Sequence, residues 1–131
     1  MLAIVCVASV ALAAPAMAQQ RSLAGDWTGG YISADGTDVN TFEVTLSQAG
    51  SALSGTIYES NSFGDQQQAL FLTSNLTGKV QNNAVTFTKT YDGSGGVSHS
   101  VSYSGRLEPN GRRIRGTFEA GGITGTFEMV R

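Results

Sequence analysis

Residues 115–131 read RGTFEAGGITGTFEMVR and carry the tetrapeptide GTFE twice, at 116–119 and 125–128, around the pair Gly121-Gly122. With that pair as a hairpin turn, Gly116 falls opposite Phe127 and Phe118 falls opposite Gly125. Each copy then supplies the ring that covers the other copy's glycine. Glycine inside a strand normally weakens it, but here it bends the sheet and makes room for an aromatic ring, a device that helps sheets close into barrels. On the other face the same register pairs Thr117 with Thr126 and Arg115 with Glu128. The repeat is a packing rule for one hairpin, and its period is far too short for a solenoid.

Working outward, apolar residues alternate with Thr, Ser and charged residues in segment after segment, and no stretch sustains an apolar pattern at helical spacing. Turn signals and alternation predict strands over 27–33, 42–47, 53–59, 69–80, 85–91, 97–107, 112–119 and 123–130. Roughly eight strands suit a small closed barrel, antiparallel and up-and-down. An Asn82-Asn83 turn sets Val80 against Val85, Gly78 against Phe87 and Leu76 against Lys89. Around Asn110-Gly111, Leu107 faces Ile114, Gly105 faces Gly116 and Tyr103 faces Phe118. A loop at Ala49-Gly50 pairs Leu46 with Leu53 and Val44 with Gly55. All these registers send the apolar members to one face, which a slip of one residue would destroy.

Strand direction separates two ends. The tight turns at 49–50, 82–83 and 109–111 share one end. The polar loops 33–38, 60–65 and 92–96, with the short glycine turn, share the other. Long loops around a rim are where function is usually carried, so that end is read as the mouth.

The interior near the mouth holds the pointed clue. If Tyr91 lies opposite Val97, Lys89 lies opposite His99, and both point inward with Glu59 and Tyr31. Two potentially cationic groups face to face resist protonation, and an unpaired ammonium in an apolar interior is costly. Such a cluster suits the anionic head of an amphipathic ligand, with Tyr31, Glu59, Lys89, Tyr91, His99 and Tyr103 as candidate binding residues. Phe42, Ile57, Phe87, Val101, Tyr103, Phe118 and Phe127 line the space below. The structural alternative is that Lys89 snorkels, Glu59 or Tyr91 satisfies it, and His99 is a neutral core residue. A further alternative is a filled barrel that acts through its rim as an inhibitor or interaction module, with the loops near Asp35, Phe63 and Gly95 in contact.

Composition bounds the rest. Residues 2–14 are almost all apolar and are followed by Pro15 and the small-x-small triplet Ala16-Met17-Ala18, the pattern of a secretory signal cleaved after Ala18. The run is too short for a membrane span. A single domain over 19–131 is expected, periplasmic or secreted, without cysteine, since Cys6 lies in the signal. A net charge of −2 gives nucleic acid no basic face to bind. A lone histidine without cysteine support makes no metal site, and no G-x-S-x-G elbow marks a hydrolase. The expectation is a binding protein without cofactor rather than an enzyme. On the outer face Arg106 lies opposite Arg115, with Glu128 and Glu108 at hand to compensate.

At the tight end Gly25-Asp26-Trp27 is a G-x-W entering the first strand, and Arg131 emerges beside it. This pattern resembles the one that opens lipocalins and avidins, members of the calycin group of small β-barrels. The resemblance implies that Trp27 closes the narrow end beneath the Arg131 guanidinium. Trp27 is the only tryptophan, which departs from biotin-binding avidins with their several stacking tryptophans. The absence of a mature disulfide and of a helix after the barrel departs from common lipocalins. Small exported calycin-type metalloprotease inhibitors are similar in size, though they too usually carry a disulfide.

Overall fold

The computed structural model describes residues 22–131; the expected signal at 1–18 and the expected first mature residue, Gln19, lie outside them. Alternation does what it predicts. Eight strands follow in order: β1 (Gly25–Ser33), β2 (Val39–Ala49), β3 (Ala52–Ser60), β4 (Phe71–Gln81), β5 (Ala84–Tyr91), β6 (Ser100–Leu107), β7 (Arg113–Ala120) and β8 (Ile123–Val130). Each pairs antiparallel with the next and β8 returns to β1, so the sheet is closed. Closure leaves no strand edge to template aggregation.

Inward positions carry the core, from Trp27, Val44, Ile57 and Leu76 to Ile114 and Met129, all nearly inaccessible to water. Outward positions are mostly Thr, Ser and charged residues. The terminal hairpin has the register its repeat predicts: Gly116 faces Phe127, Phe118 faces Gly125, and Thr117 faces Thr126. A Cβ on Gly125 would lie 2.5 Å from the Phe118 ring, so the ring does occupy the glycine's place. The Phe127 ring reaches one strand further, to within 2.9 Å of where a Cβ on Gly105 would stand. Gly105 and Gly116 are cross-strand neighbours and together make the floor under that ring.

The turns at 82–83 and 110–111 also give the expected pairs. The β2–β3 turn does not. Its loop is Gly50-Ser51, with Ala49 opposite Ala52, Leu46 opposite Gly55 and Gln48 opposite Leu53. Gly50 takes φ of 60°, so the left-handed residue opens the loop rather than ending it. The slip is of two residues, which keeps every side chain on its face.

The mouth is partly roofed. Loop 61–70 is pinned to loop 92–99 by the Asp65 amide, which donates to the Gly95 carbonyl at 2.8 Å. Buried Asn61 organises the first loop, donating through Nδ2 to the Ala69 carbonyl at 2.8 Å and accepting from the Gly64 amide at 2.6 Å. A 3-10 turn at Ser94–Gly96 draws Val97 down into the core.

Candidate functional site

Strand parity brings Glu59 (β3), Lys89 (β5) and Tyr31 (β1) to one level just beneath that roof. Lys89 and Glu59 are 1% and 2% exposed, and the Lys89 Nζ is ion-paired with Glu59 Oε1. The other carboxylate oxygen accepts from the Tyr31 hydroxyl at 3.3 Å and from Asn40 Nδ2 at 3.1 Å. The ammonium also lies 4.5 Å from the Tyr91 ring centroid, 5.6 Å from that of Tyr31 and 5.7 Å from that of Phe42. Lys89 therefore occupies a cage of one carboxylate and three rings.

Burial pulls the Lys89 ammonium below its ordinary value, and the charge and hydrogen bond of Glu59 oppose that pull. Burial first, then the Glu59 charge, pushes the phenols of Tyr31, Tyr91 and Tyr103 up. All three stay neutral far into alkali.

Of the expected binding residues, His99 does not join this cluster. Lys89 lies opposite Val101, and the Tyr91 amide bonds to the His99 carbonyl at 3.1 Å, a register two residues from the expected one. Residues 97–99, which the sequence reading gave to strand, continue the loop after the 3-10 turn, so β6 begins only at Ser100. His99 is left exposed above the barrel, its ring 4.8 Å from Tyr91 and 5.9 Å from Phe63. With Glu59 paired to Lys89, the site holds no surplus positive charge to draw an anionic head.

Tyr103 sits lower, stacked on Phe87 at 4.6 Å, with Phe127 at 5.0 Å and Phe118 at 5.9 Å. It belongs to the ring-packed core. Inward polar residues such as Asn40 and Ser74 escaped the sequence reading. Asn40 pairs with Tyr31 across β1–β2, and Ser74 shares parity with buried Leu72 and Leu76. Extending the parity of Phe42 by two residues finds Asn40. Ser74 is 1% exposed and its hydroxyl has no hydrogen-bond partner among the described residues.

At the closed end Trp27 is 1% exposed and its indole N–H donates to the Leu23 carbonyl at 2.9 Å. The Arg131 guanidinium lies 4.7 Å from the ring centroid. It is fixed by bonds from Nε to the Gly111 carbonyl at 3.0 Å and from Nη1 to the Ser22 carbonyl at 2.8 Å. A guanidinium on an indole face contributes about 0.5 to 2 kcal/mol.

The rim differs from its sequence reading. Gly95 is buried beneath loop 61–70 and offers no contact surface. Asp35 is exposed, and the Ser33 hydroxyl, then the amide and hydroxyl of Thr37, hold its carboxyl down to about 2. Phe63 is half exposed and stands edge-on to Tyr91 at 5.6 Å. Ile32, Val39, Tyr58, Leu70, Phe71 and Ile123 are exposed as well, and all lie toward the mouth. On the outside of β1–β4, Ile32 pairs with Val39, and Tyr58 stacks on Phe71 at 4.9 Å. An open recess lies between these pairs, over the side-chain-free surface of Gly30. Single apolar letters at outward positions gave no warning that they converge.

Among the described residues no helix is long and apolar enough to cross a membrane. No protein-family model and no curated protein matches the chain. Among solved structures it is similar to a redesigned β-barrel, at 13% identity and TM-score 0.69, over 83% of this chain and 90% of that one. It is also similar to a de novo designed fluorescence-activating β-barrel, at 13% identity and TM-score 0.60, over 82% of this chain and 92% of that one. At such identity the likeness speaks to backbone geometry alone, and the chain is an all-β, eight-stranded, up-and-down antiparallel barrel.

Proposed function

We propose that the protein is an exported binding module, a filled barrel that acts through the outer surface of its mouth. The observation that carries this reading is the distribution of apolar side chains. Inward ones pack against each other from Trp27 up to the Lys89 cage, and the large exposed ones gather at the loop end. Contiguous exposed apolar surface on a small soluble protein marks an interaction site. The signal-like residues 2–18 support export, and Arg131 over Trp27 supports kinship with calycin-type barrels.

A second reading, a small ligand held inside the mouth, rests on the unpartnered Ser74 hydroxyl, because a buried polar atom calls for a partner. Native mass spectrometry of the protein purified from its expression host, before and after unfolding, separates the two. A bare folded mass is expected; an excess that disappears on unfolding overturns the rim reading. For the rim itself, a photo-crosslinker on Thr41→Cys, in the recess, is compared with one on Thr88→Cys, on the far wall. Partner adducts are expected only from Thr41→Cys, and equal adducts from both positions count against the reading.

A further inference from the structure

We infer that the partner of this rim is a cationic amphipathic protein segment, one that pairs basic side chains with apolar ones; the inference rests on the rim reading above. The apolar surface is an outward crescent across β1–β4: Ile32 beside Val39, then the Tyr58–Phe71 stack, with Leu70 above it. Leu70 is 70% exposed and Val39 60%. Carboxylates surround it. Asp35 and Asp38 lie in the loop between Ile32 and Val39, Asp65 in the loop that leads to Leu70, and Glu43 directly opposite Tyr58. The Asp92 amide bonds to the Thr73 carbonyl at 3.1 Å, which places Asp92 at the mouth end of the strand that carries Phe71.

These carboxylates have no ion-pair partner among the described residues, whose ion pairs are Lys89–Glu59, Arg113–Glu128 and Arg115–Glu108. Among the described residues the one base lining the recess, Arg115, is held by Glu108 at 2.7 Å. The other bases at the surface of the described residues, Lys79, Arg106, Arg112, the half-buried Arg113 and Arg131, lie toward the closed end. An anionic lipid surface would meet like charge at this crescent. A segment with lysines or arginines flanking apolar side chains meets complementary charge and an apolar seat together.

The test uses two synthetic peptides of one length, alternating Lys-Leu and alternating Glu-Leu, and a Lys-Gly control, titrated against the protein by fluorescence anisotropy. Lys-Leu is expected to saturate, to weaken as salt is raised, and to lose about tenfold or more in affinity when Tyr58→Ser and Phe71→Ser are combined. Both positions are outward, and far-UV circular dichroism checks that the variant still folds. No saturable Lys-Leu binding, equal binding of Lys-Gly, or binding unchanged in the double variant overturns the inference. Preferential binding of Glu-Leu, or of vesicles of mixed zwitterionic and anionic lipid, lost in the double variant, overturns the cationic partner but leaves the rim reading standing. A guest mass in native spectrometry removes the rim reading itself.

Discussion

The two ends of the barrel solve opposite problems with the same materials. At the closed end a cation stays at the surface, and Arg131 lies over Trp27 with Nε and Nη1 donating to the Gly111 and Ser22 carbonyls. At the mouth a cation is taken inside, and Lys89 is surrounded by Glu59 and three rings with almost no exposure. The first arrangement keeps solvation and adds contact. The second gives up solvation and depends wholly on its partner, because the desolvation penalty of a buried ion is repaid only by good pairing. A plug that tolerates loss of one member differs from one that does not, and the barrel has one of each.

Alkaline titration breaks the comparison most strongly. The folded-state pKa values of Tyr31, Tyr91 and Tyr103 lie above the unfolded value of about 10. Above that pH the folded chain therefore holds more protons than the unfolded one, and stability falls as pH rises. Lys89 has the opposite sign: its folded pKa is depressed, so stability rises with pH until the ordinary lysine value of about 10.4 and gains nothing beyond it. Past that point only the phenols act, and the barrel unfolds as they ionise. Phenolate absorbance followed alongside circular dichroism is expected to show these three tyrosines ionising together with loss of structure; their ionisation in an intact barrel contradicts the buried site.

Replacing Glu59 sharpens the comparison. Glu59→Leu leaves the Lys89 ammonium buried without its carboxylate and is expected to cost about 3 to 5 kcal/mol. Adding Lys89→Leu is expected to recover most of that loss and to end near or above the parent stability. Urea unfolding measures both, and a double variant no better than the single one shows that the pair contributes more than its desolvation costs. At the closed end Arg131→Ala is expected to cost only about 1 to 2 kcal/mol, from the lost ring contact and the lost hydrogen bonds to carbonyls. A loss as large as that of Glu59→Leu would erase the distinction between the ends.

The asymmetry also explains what could be read from sequence. Alternation and turn chemistry gave the strand number, the barrel class and the face of the residues in the hairpins they registered, because one buried face permits no odd slip. Even slips cost no change of face, and two expected registers are displaced by two residues: Leu46 meets Gly55 rather than Leu53, and Lys89 meets Val101 rather than His99. At the first the error was harmless. At the second it had placed a histidine opposite Lys89, in a site where Lys89 is ion-paired with Glu59 and His99 takes no part. Loop 92–99 decided that register through a 3-10 turn and Val97 packing, neither of which alternation encodes. The apolar crescent was hidden for a different reason: its members come from four strands and a loop, and only the side-by-side pairing of β1 to β4 makes them neighbours.

The pairing of β1 with β8 carries a consequence in time. Every other pairing joins strands adjacent in sequence, so their contacts close short loops, which cost little entropy and form early. The last seam joins Ser33 to Gly125 and Thr28 to Val130, and the Arg131 clamp on Ser22 spans 109 residues. A chain still emerging from a ribosome thus cannot seal itself before β8 is free to pair. The seam waits for β8, so the segment spelling GTFE for the second time is also the one that turns an open sheet into a closed molecule.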